Sequence, residues 1–286
     1  MSTERVARKP ALSPSRLNDF MQCPLLFRFR AVDRLPEPAS AAAARGTLVH
    51  LVIERLFDVP LGERTPEAAA ALLPGAWEHL LATDKRLGGL AVDDDWLAAA
   101  ERLVRAYFDM EDPNRLEPAG RELVVEHQLD DGPLLRGIID RLDVAPGGAM
   151  RIVDYKTGRS PKLQYESQAL FQMRFYALLL WLGRGEMPKM LQVMYLGDGQ
   201  VLRAEPRPED LEATEAKVRS LWDSIVHAVG ASEFRPRPSA LCNWCSHQAL
   251  CPQFGGTPPE FDAGLAAERL GVPAGAAVPP QRPDAV

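Results

Sequence analysis

The sequence predicts an α/β protein with a mixed central sheet flanked by helices. The first observation is a change of hydrophobic period at residue 121, where the strand-like runs "ELVVEHQL", "LLRGIIDRLDV" and "MRIVDYK" follow one another, separated by the turn sequences "DDGP" and "APGG". The second is a long amphipathic pattern, "QYESQALFQMRFYALLLWL", followed by a further strand pattern, "MLQVMYLG". We therefore expect the sheet within about residues 121 to 197.

Helical periodicity precedes the sheet. In "LSPSRLNDFMQCPLLFRFR", Ser13 and Pro14 suit an N-cap and a first helical position, and Cys23 falls at the end of this helix. The next helix, "RGTLVHLVIERLF", places His50 and Glu54 on one face, and two or three more helices are expected between residues 66 and 110. These patterns predict an N-terminal helical region over residues 1–120.

The remaining chain divides into three further regions. The core sheet and its helix are expected over 121–200. Residues 201–255 combine a helix, "EDLEATEAKVRSLWDSIVHAV", with a segment rich in Pro and Cys, "FRPRPSALCNWCSHQALCPQF". The Pro-rich residues 256–286 are expected to be a disordered tail.

Composition narrows the class of protein. With 286 residues, 46% hydrophobic and 25% charged, the chain is typical of a globular protein with a sizeable core. Its formal net charge of -6 lacks the overall basic balance of many nucleic-acid binders, although a cleft on an acidic protein can be locally basic. No apolar run reaches the roughly 18 residues of a membrane span, and no G-x-x-x-x-G-K-[ST] loop is present. We expect a cytoplasmic protein without a membrane span or an ATP-driven motor.

Two aspartates and a lysine are predicted to meet at the end of a strand hairpin. If the turn "PGG" is centred on Gly147, the numbers of facing residues sum to about 294, which pairs Asp140 with Asp154. Lys156 projects from the same face as Asp154. Facing carboxylates repel unless a cation lies between them, and this combination suits metal-dependent phosphodiester hydrolysis. The alternative is a surface ion pair of Asp154 and Lys156 at a frayed strand end.

Four short motifs resemble those of the RecB-like exonucleases of the PD-(D/E)XK nuclease superfamily. They occur in the family's order within roughly residues 11 to 254, and each is weak alone but specific in combination. The motifs are "RGTLVH" with His50, "GIIDRLD" with Asp140, "DYKTG" with Asp154 and Lys156, and "QMRFY" with Gln172 and Tyr176. The resemblance implies a restriction-endonuclease-like core.

The resemblance also implies a metal site. By its pattern, His50, Asp140 and Asp154 bind a catalytic Mg²⁺ or Mn²⁺, and the backbone carbonyl of Tyr155 supplies a further oxygen. Lys156 positions and activates the attacking water. Taken alone, a histidine on an apolar helix such as His50 is more often a hydrogen-bonded core residue.

Further residues are implied with less support. Gln172 and Tyr176 resemble the pair that lines the substrate side of the site, the alternative being an ordinary pair on a half-buried helix. Glu126 is a candidate to assist a metal or a water, and Arg141 is either a phosphate contact or a structural residue. Four other basic residues are candidates to follow phosphates, although scattered arginines usually only solvate a surface: Arg136, Arg159, Lys162 and Arg174.

The four cysteines have the count and spacing of a metal site. Three form C-x2-C-x5-C near the C-terminus, at Cys242, Cys245 and Cys251, and Cys23 lies far upstream. Four thiolates suit either a tetrahedral zinc or an iron-sulfur cluster. A subset of the family, including CRISPR-adaptation nucleases and nuclease domains of some helicase-nucleases, has the same split pattern. The resemblance implies a 4Fe-4S cluster that closes the C-terminal segment on the N-terminus, with zinc as the alternative occupant.

These observations favour a metal-dependent DNA exonuclease that acts on single-stranded or frayed DNA ends in repair or recombination. Because the chain carries no motor motif, any unwinding would come from a helicase partner. One alternative is a non-catalytic iron-sulfur module that binds DNA ends. Others are a nuclease subunit active only beside a helicase, and a nuclease for RNA or another phosphodiester.

Overall fold

The computed structural model describes residues 9–162 and 166–272. The helices are α1 (Pro14–Gln22), α2 (Pro24–Phe27), α3 (Ala41–Leu56), α4 (Pro66–Thr83), α5 (Asp94–Met110), α6 (Glu166–Arg184), α7 (Pro208–Gly230) and α8 (Ala263–Leu270). The strands are β1 (Gly120–Gln128), β2 (Leu134–Val144), β3 (Met150–Lys156), β4 (Met190–Tyr195) and β5 (Gln200–Ala204). None of the described helices is long and apolar enough to cross a membrane.

The five strands form one mixed sheet in the order β1-β2-β3-β4-β5. Strand β3 runs antiparallel to β2 and parallel to β4, and β5 is antiparallel to β4. Parallel neighbours need a long crossover, and α6 lies in the segment that joins β3 to β4. The predicted α/β class with a mixed sheet is therefore confirmed. Strand β5 extends the sheet beyond the predicted limit at residue 197.

The β2–β3 hairpin has the register that its turn predicts. Leu142 faces Ile152 and Asp143 faces Arg151, and each pair of numbers sums to 294. Gly148 adopts a φ of +80° in the turn, a conformation that glycine reaches without a steric penalty. The turn sequence thus determines which side chains share a face near the end of the hairpin.

The chain divides into two compact units. Unit 1 takes the chain up to Glu37, residues Glu126–Gly137 and the chain from Glu212 onward, and unit 2 takes Pro38–Val125 and Ile138–Leu211. In unit 1, Ser13 caps α1 and Pro14 begins it, as predicted, and Phe20 meets Phe27 edge-on at 5.3 Å between ring centroids. A π-helix, Arg28–Asp33, continues directly from α2.

Unit 2 has one large hydrophobic core. Helices α3, α4 and α5 pack on each other, and their buried side chains join those of β3 and β4 in a single cluster. Leu48 and Val52 of α3 are fully buried there beside Val153 of β3. Burial of side chains of this size stabilises a fold by about 1.5–3 kcal/mol each, so α3 is held firmly against the sheet.

Helix α8 lies in the segment that the composition predicts to be a disordered tail. Asp262 caps it by accepting a hydrogen bond from the backbone N–H of Leu265 at 2.8 Å, and Ala266 and Leu270 are buried. The flanking residues are rich in proline, so the composition of the whole segment does not predict this short amphipathic helix. The last part of the predicted tail, residues 273–286, lies outside the described residues.

Candidate active site

The two motif aspartates lie together at the end of the β2–β3 hairpin. The Oδ2 atom of Asp140 accepts a hydrogen bond from the backbone N–H of Tyr155 at 2.8 Å, next to Asp154 in the chain. Asp154 is 1% exposed, and its Oδ2 lies 2.8 Å from Nζ of Lys156. The carboxylate of Asp140 thus substitutes for a backbone acceptor at the point where strand pairing ends. This fixes both acids on one face.

Helix α3 supplies His50 to the same place. Its Nδ1 lies 3.5 Å from Oδ2 of Asp140, and its ring meets that of Tyr155 edge-on at 6.0 Å between centroids. Gly46 lies one turn earlier, where a Cβ atom would come within 3.2 Å of Oγ1 of Thr157. The glycine in "RGTLVH" therefore allows α3 to approach the end of β3, which brings His50 to the acids.

Helix α6 supplies an amide that joins the acidic and basic groups. Gln172 donates from Nε2 to Oδ1 of Asp154 at 3.0 Å and accepts at Oε1 from Nζ of Lys156 at 3.2 Å. It also donates to the hydroxyl of Tyr176 at 2.8 Å. An ammonium can only donate and a carboxylate can only accept, so these partners leave one orientation of the amide. Gln172 holds Asp154 and Lys156 in a fixed relation.

Glu122 is a site residue that the sequence reasoning missed. One ligand atom each from His50, Glu122 and Asp140 lies within 4.8 Å of the others, which is the spacing of a metal-binding group. Glu122 lies in β1 with a φ of +43°, a left-handed conformation that costs a non-glycine residue about 1–2 kcal/mol. Strain of this kind concentrates at functional sites. Its only sequence signal is an acid near the start of the predicted strand.

Glu126, the acid predicted from the same strand, occupies a different position. Its exposed carboxylate pairs with Arg136, and it does not line the pocket that holds the motif residues. Four strand residues span about 13 Å, so an acid at position 126 does not replace one at position 122. The prediction for Glu126 is corrected: β1 contributes Glu122.

Arg141 lies in an internal ion-pair network. Only 1% of it is exposed, and its guanidinium lies 2.7 Å from Oε1 of Glu111 and 3.0 Å from Oδ1 of Asp143. It also donates to the hydroxyl of Tyr155 at 2.7 Å. Arg141 is buried on the opposite side of β2 from Asp140, and its charge is paired with Glu111 and Asp143, so its surroundings match the structural alternative.

The motif residues line one pocket of about 550 Å³. Its lining includes a cluster of ionisable groups and their neighbours, namely His50, Glu54, Glu122, Asp140, Asp154, Lys156, Gln172 and Tyr176. Four carboxylates therefore face one ammonium, and this excess of negative charge attracts a cation. All six motif residues of the sequence prediction are brought together here.

Burial shifts the pKa values of four of these groups, and it raises those of Glu122 and Tyr176. It raises the pKa of Asp140 well above its ordinary range, and the neighbouring charge of Asp154 adds to the effect. Burial also lowers the pKa of His50, which favours the neutral imidazole that ligates metals. Two carboxylates and a neutral imidazole within 4.8 Å fit a divalent cation such as Mg²⁺ or Mn²⁺.

The four cysteines line a second pocket, within unit 1. All four are free thiols. The Sγ atom of Cys23 accepts from the backbone N–H of Arg237 at 3.4 Å, and that of Cys242 accepts from Ser239 at 3.3 Å. The C-terminal Cys segment therefore closes on the end of α1, as expected.

The mixed sheet, with clustered acids and a lysine at the end of one hairpin, is typical of enzymes that hydrolyse phosphodiester bonds. A model of the PD-(D/E)XK nuclease superfamily matches residues 11–252. The chain belongs to this superfamily. The superfamily that the four motifs indicate is thereby confirmed, and the match defines neither the RecB-like family nor its iron-sulfur subset.

Phage proteins and one solved structure are similar to this chain. Gene 69 protein of Mycobacterium phage D29 is 24% identical over 279 residues, covering 86% of this chain and 97% of the phage protein. Gene 69 protein of Mycobacterium phage L5 is 30% identical over 127 residues, or 43% of this chain and 41% of that protein. A crystal structure of a candidate exonuclease from Eubacterium rectale aligns with a TM-score of 0.56 at 13% identity, covering 86% and 92% of the two chains. At this identity the structural match shows the fold alone.

Proposed function

We propose that this nuclease is a metal-dependent deoxyribonuclease that digests single-stranded or frayed DNA from its ends, in repair or recombination. The observation that carries the proposal is the group formed by His50, Glu122 and Asp140, within 4.8 Å of one another beside the Asp154–Lys156 pair. DNA and digestion from an end come from the motif resemblance to RecB-like exonucleases, which the name of the Eubacterium rectale protein supports.

The cation would be held by His50, Glu122 and Asp140, with Asp154 and the carbonyl of Tyr155 as further ligands. When bound, a divalent cation supplies a Lewis acid that polarises the phosphodiester and lowers the pKa of water. The acids have the excess negative charge that such an ion requires.

Lys156 and Gln172 contribute to the reaction through their own atoms. The ammonium of Lys156 offsets negative charge that develops on the phosphate and positions water by hydrogen bonding. Gln172 holds that ammonium at 3.2 Å, so that Lys156 keeps its position when a substrate enters. Tyr176, hydrogen-bonded to Gln172, lines the substrate side of the same pocket.

For the cysteines we propose a structural 4Fe-4S cluster ligated by Cys23, Cys242, Cys245 and Cys251. Tetrahedral zinc with Zn–S bonds of about 2.3 Å places its thiolates roughly 3.8 Å apart. Four cysteines can suit that geometry as well as a cluster, and the motif resemblance carries the choice of the cluster. The Sγ atoms of Cys23 and Cys242 accept hydrogen bonds from backbone N–H groups. Hydrogen bonds to sulfur of this kind tune the reduction potential of iron-sulfur clusters.

The cytoplasm suits these thiols, since they are kept reduced there. A helicase partner would supply unwinding, because the sequence has no phosphate-binding motor loop of its own.

The test is incubation of anaerobically purified protein with end-labelled single-stranded DNA and Mn²⁺, beside Lys156→Ala. We expect degradation by the wild type alone, and the position of the label then reports polarity. A circular strand of the same length has no ends, so it is the matched substrate that tests whether digestion requires an end. Equal digestion of the circle would contradict the exonuclease mode, and no digestion of either substrate would favour the DNA-end-binding module.

The absorbance and metal content of the same anaerobic preparation test the cluster. Broad absorbance near about 400 nm, with about four irons per chain, would support it. Colourless protein with one zinc per chain would contradict it.

A further inference from the structure

Unit 1 contains a strongly basic pocket that the nuclease site does not use. Its volume is about 950 Å³. Five cationic side chains and one carboxylate line it, which are Lys9, Arg16, Arg34, Arg136, Arg269 and Glu268. A local excess of this size is unexpected on a chain with a formal net charge of -6.

Most of this positive charge is not neutralised within the pocket. Arg136 pairs with Glu126, but Arg16 donates to the backbone carbonyl of Ala11 at 2.8 Å, which satisfies a hydrogen bond without cancelling charge. Arg269 likewise donates to a backbone carbonyl, that of Val32. The nearby acid Asp19 is already engaged by Arg30 at 2.6 Å, outside the pocket lining.

The cations are close enough to repel one another. Burial lowers the pKa of Arg16, and the neighbouring guanidinium groups of Arg34 and Arg136 lower it further. The fold therefore holds like charges together against their repulsion. An arrangement of this kind is stabilised when an anion binds.

The backbone around Arg34 fixes where this cation lies. The π-helix Arg28–Asp33 ends there, and Arg34 has φ and ψ of 53° and 45°, the left-handed conformation. Leu35 N donates to Phe29 O at 2.9 Å across this turn, and Phe29 and Val32 are buried, so packing holds the strained residue in place. Both π-helical turns and left-handed non-glycine residues occur preferentially at functional sites.

We propose that this pocket binds successive phosphates of a single DNA strand, as a binding site in unit 1 additional to the cleavage site in unit 2. Guanidinium groups match the geometry of phosphate oxygens, and several of them along one pocket suit a phosphodiester backbone. The choice of DNA rests on the proposed function. The positive charge of the pocket is a property of unit 1 alone.

The test compares two double variants in a DNA-binding titration with divalent cations chelated, over a range of salt concentrations. Lys9→Ala/Arg34→Gly removes two charges from the pocket, and glycine suits the left-handed conformation at position 34. Arg86→Ala/Arg235→Ala removes two charges from arginines whose side chains are 75% and 80% exposed, neither of which lines the pocket.

We expect the pocket variant to bind a labelled single strand about tenfold more weakly. The slope of log affinity against log salt concentration should fall by about 0.7 for each phosphate that is no longer neutralised, or about 1.4 in all. The control variant should show a much smaller change in both the affinity and the salt slope. Equal losses of affinity in the two variants, unchanged binding in the pocket variant, or a wild type that does not bind DNA would each overturn the proposal.

A small chromogenic phosphodiester separates this proposal from the nuclease assignment. Bis(p-nitrophenyl) phosphate has a single phosphodiester group and no adjoining strand, so its Mn²⁺-dependent hydrolysis should be the same in the pocket variant and the wild type. No hydrolysis by any of the proteins, together with selective loss of DNA binding in the pocket variant, would contradict the proposed nuclease and support the pocket.

Discussion

The acidic pocket of unit 2 and the cysteine pocket of unit 1 are both suited to metals, but they are built differently. The acids and His50 lie on β1, β2, β3 and α3, and hydrogen bonds to Tyr155 N and Gln172 hold Asp140 and Asp154 in place. Cys242 lies in a 3-10 turn, and Cys245 and Cys251 lie at the ends of such turns. The acidic site is therefore organised by the fold, whereas the cysteine segment depends more on what its thiols bind. We expect loss of the divalent cation from the acidic pocket to stop cleavage. Loss of the metal that the cysteines bind should instead lower the stability of the protein.

The largest expected effect is the loss of cleavage in Asp154→Asn. The amide cannot supply the negative charge of the carboxylate, so the rate should fall by about 10³-fold. The melting temperature should change little, because the Oδ1 atom of the new asparagine can still accept the hydrogen bond that Gln172 donates. Cleavage of end-labelled DNA and a thermal melt measure the two properties, and a rate within a few-fold of the wild type would refute a catalytic role.

Cys245→Ser should show the opposite pattern. A link between segments more than 200 residues apart destabilises the unfolded chain by about 5.4 kcal/mol through lost loop entropy, by the relation used for covalent cross-links. Loss of one ligand should therefore lower the melting temperature by several degrees, measured by calorimetry under anaerobic conditions. Hydrolysis of a small phosphodiester below that temperature should persist. A variant as stable as the wild type would show that the cysteines do not link the segments.

Glu122→Gln should weaken cation binding by about 10- to 100-fold, because one charged ligand is lost while the shape is kept. Glu126→Gln is the matched control, with the same chemical change in the same strand. Titration of DNA cleavage with Mn²⁺ measures the apparent affinity. Identical titrations for the two variants would remove Glu122 from the metal site.

The pH dependence of the cation-free protein should reveal the repulsion between Asp140 and Asp154. Burial and Asp154 raise the pKa of Asp140, so the folded state holds that proton more tightly than the unfolded state. This stabilisation is complete below the ordinary carboxyl pKa and is lost as the pH rises through the raised value. Asp140→Asn should remove this loss and make the cation-free protein more stable than the wild type at neutral pH.

Melts of the Asp140→Asn variant and the wild type across this pH range, without divalent cations, check the sign. The asparagine can still accept the hydrogen bond from Tyr155 N. A variant that is less stable than the wild type at neutral pH would contradict the expected repulsion.

The smallest expected effect is at Gly46. A Cβ atom there would lie 3.2 Å from Oγ1 of Thr157, so Gly46→Ala should shift α3 by a few tenths of an ångström and lower activity several-fold. Stability should not fall much, since alanine is a better helix former than glycine by about 1 kcal/mol. The double variant Gly46→Ala/Thr157→Ala removes the colliding hydroxyl and should recover activity. Failure to recover would show that the close approach does not position His50.

Local sequence accounts for much of the acidic site. The turn around Gly147 and the two-residue period of the strands determine that Asp140 meets Asp154, and that Lys156 joins them. The motif pattern adds His50, Gln172 and Tyr176, which line the same pocket. Period, turn chemistry and motif order are properties of short segments, so they can be read before the chain is folded.

Other features depend on tertiary packing that short segments do not encode. Glu122 takes the place predicted for Glu126 because the folded chain brings this left-handed residue, and not Glu126, within 4.8 Å of ligand atoms of His50 and Asp140. Arg141 lies in an internal ion-pair network because Glu111, from the end of α5, and Asp143 meet it in the interior. No short stretch of sequence predicts either outcome. Both depend on which carboxylate the folded chain brings close to the other residues.

The sequence by itself determined the fold class, the hairpin register and the motif residues, because hydrophobic period and turn geometry act over a few residues. Only the tertiary structure decided which acid joins the candidate cation site and where positive charge accumulates. The basic pocket gathers its side chains from separate parts of the chain, near residues 9, 34, 136 and 269. Each is an ordinary arginine or lysine in sequence, and the folded backbone brings them close enough to act together.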